Sequence, residues 1–558
     1  MLRQIIYLFC LGLVLLVPAC SSTPKLPDSA TVREFNTLLD LFEEEDVMDA
    51  RYRTLDDRGY LQIDLSMRYQ IPEYRYQTRL SDKKDFVIAY LKEARALGDR
   101  VVAGLLQKLP PKVLDEFSRD YMDTIATARV TGGLLADYRK YSAQRLATDI
   151  KQVQGFSSVK ALNHYWDSLI SDIEEAFPTA VSVTRRLLTA PGIPFAKWWL
   201  AQRKTTDNRG SYIPHFRNQT RYYPGPAGPA PEGMAAEEWS LLRRYAPVIV
   251  QGTDPEASYP VYTDRFGTVL LKGKNLLKAT PAVDTGRPAV YTYMERKSMQ
   301  GGPVKQLIYT LWYPQHPKQH FLDTEAGPMD GRTLRITLNQ ENRPLLFESV
   351  SNSGLYYKVF PTQKLEELSQ RVFPEKLESK SFYVENHVEG KYDVFVPEVI
   401  PGINTPEQKI VLYYSAGRHR LITIRSDEYL LNEEKARRRQ VISIRTAADK
   451  KAKRQQITTV RSAQGGQLQI SNYSLRAYGE LENLPFNGYH ASLFDTHGLV
   501  RKAYRLEGKL LTPAGLYHAG QPRQRETQMI HFDEALFDDP RLLETYLRLP
   551  PGVFKLSL

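Results

Sequence analysis

The spacing of apolar residues changes partway along the chain, from a period near 3.6 to a period of 2. In the first half, Phe86, Val87, Tyr90, Leu91, Ala94 and Leu97 recur at intervals of three and four. That spacing places them on one face of a helix. Ser81 and Asp82 are good N-cap types and Gly98 is a common helix stop, so a helix is expected over 81–98. A second stripe, Val101, Val102, Leu105, Leu106 and Leu109, ends at Pro110-Pro111, which cannot continue a helix interior. A third runs through Leu162, Trp166, Leu169, Ile170, Ile173 and Phe177 before Pro178. Together these predict five to seven helices in a bundle or irregular array. Leu61, Ile63 and Leu65 alternate instead, and predict a short strand.

Beyond residue 245 alternation takes over. "TLRITL" (333–338) sets Leu334, Ile336 and Leu338 against Thr333, Arg335 and Thr337, so one face should be buried and one wet. "NQENRP" turns the chain and "LLFESV" returns it, a hairpin signature. "QLIYTLWY" (306–313) is apolar on both faces, as a central strand would be. "AVYTYM", "LYYKVF", "RLITIR", "QVISIR" and "QQITTV" repeat the theme, and helical character returns near Leu542 to Leu547. Between the halves, seven of the ten residues of "PGPAGPAPEG" (224–233) are proline or glycine, which argues for a linker or long loop.

The pattern therefore predicts an α+β protein. A helical domain spans 31–210, a Pro/Gly-rich linker 211–240, and a largely antiparallel β-rich domain with a terminal helix 241–558. A further division of the last into subdomains near 241–400 and 401–558 is left open.

The N-terminus has its own logic. Arg3 precedes an apolar run from Ile5 to Val17, and small residues follow at Ala19 and Cys20. A basic start, an apolar core and a small-residue cleavage site make a secretory signal, here over 1–19. The run is too short for a span of roughly 20 residues. Val17-Pro18-Ala19-Cys20 resembles the lipobox of bacterial lipoproteins. The resemblance implies cleavage before Cys20, a diacylglycerol thioether on its sulfur and an acylated amino terminus, with 20–30 as a lipidated tether. Several acyl chains hold firmly where one gives only marginal binding, at about 0.8 kcal/mol per buried methylene. Ser21 stands where an aspartate would resemble an inner-membrane retention signal, so the analogy points to the outer membrane, on its periplasmic face or at the cell surface.

Composition narrows the chemistry. Cys10 leaves with the signal and Cys20 is alkylated, so a mature chain processed in this way has no disulfide or thiolate metal site. With 42% hydrophobic residues it is long enough to rest on its core. The net charge of +11 suits anionic partners such as lipid headgroups or acidic polysaccharide. No nucleic-acid-binding motif is present, and nucleic acid is not an expected partner. The 34 tyrosines serve sugar stacking, partner interfaces or simply sheet formation.

Catalytic motifs are weak. "GTVLLKGKN" (267–275) lacks the spacing and hydroxyl of a phosphate loop, and neither G-x-S-x-G nor H-E-x-x-H occurs. The main candidate is "YPQHPKQHFLDTEAG" (313–327), a loop following the central strand. On one helical turn His316 and His320 would face a single metal, with Asp323 or Glu325 as third ligand. Two histidines and a carboxylate suit zinc or iron. The competing reading is a polar hairpin loop with no cofactor. His490, Asp495, His497, His518, His531, Asp533 and Glu534 offer acid–base partners whose spacing supplies no geometry. The leading expectation is a non-enzymatic outer-membrane lipoprotein that binds or scaffolds an envelope protein or glycan. The alternative is a metal-dependent envelope hydrolase at His316, His320 and Asp323.

Overall fold

The computed structural model describes residues 38–55, 58–121, 127–176, 220–254, 256–299, 302–319, 321, 323–389, 393–400, 408–426, 469–511, 520–530, 535–539 and 541–555. The signal segment, Cys20 and its tether lie outside the described residues, as do the strands expected at 440–445 and 455–460. The fold is α+β, with a helical N-terminal region, a β-rich remainder and a short terminal helix, Leu542–Tyr546.

Helical residues 38–44 open the described N-terminal region, and strands β1 (Tyr52–Leu55) and β2 (Arg58–Asp64) follow as an antiparallel ribbon. At its end Asp64 caps the helix Leu65–Tyr76, its Oδ1 accepting from the Met67 amide at 3.0 Å. Helices Leu80–Lys108, Pro111–Tyr121, Thr127–Gly155 and Val159–Ala176 follow. Gly98 does not stop the second helix as its residue type suggested. The helix runs through it because the two apolar stripes are in register, Leu97 and Gly98 leading directly to Val101 and Val102 on one buried face. A helical glycine costs about 1 kcal/mol against alanine, less than burial of the continuing stripe gains. Trp166 anchors the helices: it stacks on Tyr74 at 4.6 Å and meets Phe86 and Tyr90 edge-on.

Next come β3 (Thr220–Tyr223), the helix Ala236–Arg244, β4 (Val248–Gly252), and the hairpin of β5 (Thr268–Lys272) and β6 (Thr280–Asp284). An antiparallel meander follows: β7 (Ala289–Met299), β8 (Gly302–His316), β9 (Gly327–Leu338), β10 (Pro344–Ser351) and β11 (Lys358–Pro361). The helix Gln363–Val372 leads on to β12 (Ile410–Tyr414), β13 (Leu421–Ser426), β14 (Gln469–Ile470) and β15 (Ser474–Ala477). The meander is one sheet of six strands, closed by β15 running parallel to β7. The second sheet has the order β13-β12-β4-β3-β14.

β8 is the central strand its sequence predicts. Leu307, Tyr309, Leu311 and Tyr313 join a core between the two sheets, with Ile249, Leu334 and Leu412. Ile308 and Trp312 point the other way, into a core continuous with Leu91, Val102 and Trp166 of the helices. Helices, six-stranded sheet and five-stranded sheet thus stack as layers sharing β8.

Within the 211–240 stretch β3 pairs with β4, the helix Ala236–Arg244 begins, and the Ala227 amide donates to the Tyr473 carbonyl at 2.7 Å. Proline and glycine exclude a ladder interior but permit this edge contact. Across residue 400, β12 pairs with β4 and β15 with β7. One further expectation needs correction: Thr333, Arg335 and Thr337 are buried, not wet. The C-terminal segment covers that face: Arg335 donates to the Phe537 carbonyl at 2.5 Å and forks onto Glu348 at 2.7 and 2.5 Å. Among the described residues no helix is long and apolar enough to cross a membrane.

That covering segment brings a carboxyl into the interior. Among the described residues neither oxygen of Asp538 has a hydrogen-bond partner, with Lys297 Nζ 3.8 Å and Arg335 3.9 Å away. Burial pushes its pKa up to about 7, against about 3.9 in an unfolded chain. The folded state therefore holds this proton more tightly than the unfolded one. Its stabilising contribution is complete below about pH 4 and is lost as pH rises through about 7. Asp538→Asn is expected to flatten this decline in urea midpoints measured from pH 4 to 7, and an unchanged slope would refute the assignment.

Candidate functional site

The long β8–β9 hairpin carries the candidate loop at its tip, where His316 stands opposite Gly327. Three residues earlier on β8, Tyr313 pairs with Asp330 of β9. The pleat and the loop together bring His316 Nδ1 to 3.3 Å from Asp330 Oδ2. The same oxygen accepts from His419 Nδ1 at 2.8 Å. His419 sits in the β12–β13 turn with a positive φ of 49°, and its ring stacks flat on Tyr313 at 3.9 Å. Its Nε2 lies 3.3 Å from Asp264 Oδ1, an ion-pair approach without hydrogen-bond alignment. Asp264 ends a short 3-10 turn after β4 and its Oδ1 also accepts from the Gly417 amide at 2.6 Å.

Four side chains from three parts of the chain thus form a continuous polar file, Asp264, His419, Asp330, His316. All four are buried. Gly417 permits the turn: its φ is +68°, and a Cβ there would collide with Gln319 and the Tyr259 hydroxyl. Gly331 has a similar role beside Asp330, since a Cβ would occupy the place of the Asn352 amide group. Tyr313 is pinned at its other end by donating to Gln251 Oε1 at 2.8 Å.

The electrostatics follow from burial. Removal from water alone would raise the Asp330 carboxyl, yet the two histidines hold it well below the usual carboxylate range. Burial alone would lower His419, yet its contacts with Asp264 and Asp330 raise it above an ordinary imidazole. The two carboxylates that flank His419 thus favour its imidazolium form. Arg505 adds cationic charge, 3.8 Å from Asp330 Oδ1, and donates to the Met329 and Glu325 carbonyls.

His316 is the outer end of the file. It lines an open cleft of about 770 Å³, walled also by Tyr259, Lys318, Gln319, Phe321 and Pro328. Behind it a much smaller polar cavity is bounded by Glu325, Arg332, Ser353, Tyr356 and Arg505. With Nδ1 committed to Asp330, the ring presents its other edge as the group left for a ligand or a proton.

Of the expected metal ligands, His316 is engaged with Asp330, and His320 lies outside the described residues. Asp323 shapes the loop instead, accepting from the Gln319 amide at 2.9 Å and the Glu325 amide at 3.1 Å. Glu325 accepts from the Tyr356 hydroxyl at 2.5 Å. Among the described residues no group of three or more His, Cys, Asp or Glu side chains is placed to hold a metal ion. Asp495 accepts from the His497 and Leu499 amides and His490 is exposed, while His518, His531, Asp533 and Glu534 lie outside the described residues. Asp330, His419 and Asp264 were not singled out by sequence. Comparisons with known protein families, with characterised proteins and with solved structures return no match.

The charge state of His419 is directly measurable. Nitrogen-15 NMR at pH 7 should show its ring in the imidazolium form, and a neutral-imidazole pattern would contradict the bridge. The accompanying stability is fully present below about pH 6.5 and lost as pH rises through the raised value in the fold.

Proposed function

We propose that this chain is an envelope lipoprotein, held at the outer membrane by lipid on Cys20, which acts as a binding component through the cleft above His316. The observation that supports this reading most is the pairing of an open cleft with a rigid, fully buried polar file beneath it. Such files are costly: an unpaired buried charge costs several kcal/mol, so each member must be matched. A fold that needed only stability would do as well with apolar side chains there. What the file gives is a fixed imidazole edge at the cleft floor.

The anchor follows from the lipobox resemblance at Val17 to Cys20. It leaves the body free to meet envelope protein or glycan. The perturbed Asp330 and His419 beneath the cleft favour a second reading, acid–base chemistry at His316 with Asp330 orienting its ring. In the metal-dependent version, His316, His320 and Asp323 would hold zinc or iron. Metal analysis of the purified protein, compared with His316→Ala, separates the two.

One experiment addresses anchor and cleft together. Cells expressing the protein with a photo-crosslinking residue in place of Gln319 are irradiated and fractionated, and Cys20→Ser is run in parallel. The expected result is a membrane-bound protein crosslinked to one dominant envelope component, with the Cys20→Ser form released to the soluble fraction. Crosslinking no different from that at exposed Glu389, which does not line the cleft, would overturn the binding site. Retention of Cys20→Ser in the membrane would overturn the anchor.

A further inference from the structure

We infer that the cleft above His316 takes an acidic oligosaccharide, a sugar chain bearing carboxylate groups. The inference rests on the proposed binding role and names its ligand. Several observations converge on it. No aspartate or glutamate is among the described residues lining the cleft, although acidic residues lie directly beneath. Of those acids, Asp330 is contacted by His419 and Arg505, and Asp264 by His419. Lys318 stands on the wall as an exposed cation, paired with no carboxylate among the described residues. Its Nζ lies 5.3 Å from the Phe321 ring.

Phe321 is the second element. It is 87% exposed, the most exposed of the large apolar side chains in the described residues. An aromatic face turned to solvent beside a polar cleft is a platform for the C–H face of a sugar ring. The groups around it suit hydroxyls: the Gln315 and Gln319 amides, the Tyr259 hydroxyl and the His316 edge all line the same space. Charge completes the fit, because a chain of +11 draws anionic ligands toward it.

A helical peptide suits this surface less well. An amphipathic helix needs a continuous apolar groove, whereas this cleft interleaves Lys318, Gln319 and His316 with its apolar groups.

The test uses the full-length protein in detergent micelles, with fluorescently labelled hexagalacturonate as acidic probe and maltohexaose as neutral probe. The expected result is binding of hexagalacturonate at least ten-fold tighter than maltohexaose. Phe321→Ala should weaken both about ten-fold, and Lys318→Glu should remove the preference for the acidic probe. Both side chains are exposed, so melting temperatures should stay at the wild-type value and confirm folding. No binding of hexagalacturonate by the wild-type protein, or variants binding as wild type does, would overturn the inference. If crosslinking at position 319 then captures a peptide or lipid component, the binding role stands and the sugar assignment alone falls.

Discussion

One carboxylate oxygen, Oδ2 of Asp330, accepts from two imidazoles, and most of the site's geometry follows from that sharing. A buried carboxylate with one partner leaves residual charge in a medium of low polarity. Here His419, whose imidazolium form the carboxylates favour, supplies the second partner, and it is itself held by Asp264 on its far side and by the Tyr313 ring beneath. Each contact fixes a different element. Asp330 ties β9 to the β12–β13 turn, Asp264 ties that turn to the segment after β4, and Tyr313 locks β8 against both. Only then can His316 hold one orientation at the cleft. The two sheets are thereby joined by polar contacts at their end as well as by the core between them.

The architecture explains why so polar a file can be buried. β8 runs through the middle of the molecule with both faces covered, so its last residues emerge from a rigid support. The helices share the core on one side, and contacts such as Gln524 Nε2 to Asp49 at 2.7 Å and Arg51 to Glu482 at 3.1 Å fasten them to the β-rich part. The helical region therefore acts as a supporting layer for the sheet that carries the site.

Much of the fold was legible in the sequence because period alone determines it. Trp166 and its stripe predict a helix, and the two-sided apolar run of β8 predicts a central strand. What escaped were features set by distant segments. Arg335 and its neighbours alternate like a solvent-facing row, and only a segment some 200 residues onward covers them. The Pro/Gly stretch has the composition of a linker, yet its edge contact with Tyr473 depends on a strand far along the chain. The site was half legible. His316 stood out because it follows a buried strand, but its partners are 14 residues away for Asp330 and a further 89 for His419. Strand pairing and a tight turn assemble them, and no local spacing encodes that. A modest signal was present in "SAGRHR", a glycine turn with a histidine between two alternating segments.

The most direct test of the shared carboxylate is a double-mutant cycle. Stability is measured by chemical denaturation for the wild-type protein, Asp330→Asn, His419→Gln and the double variant. The shared-charge arrangement predicts that the two losses fall short of additivity, by a coupling of about 1.5 kcal/mol or more. Additivity within about 0.5 kcal/mol would mean that the two side chains act independently, and the account of a charge-locked file supporting His316 would be contradicted.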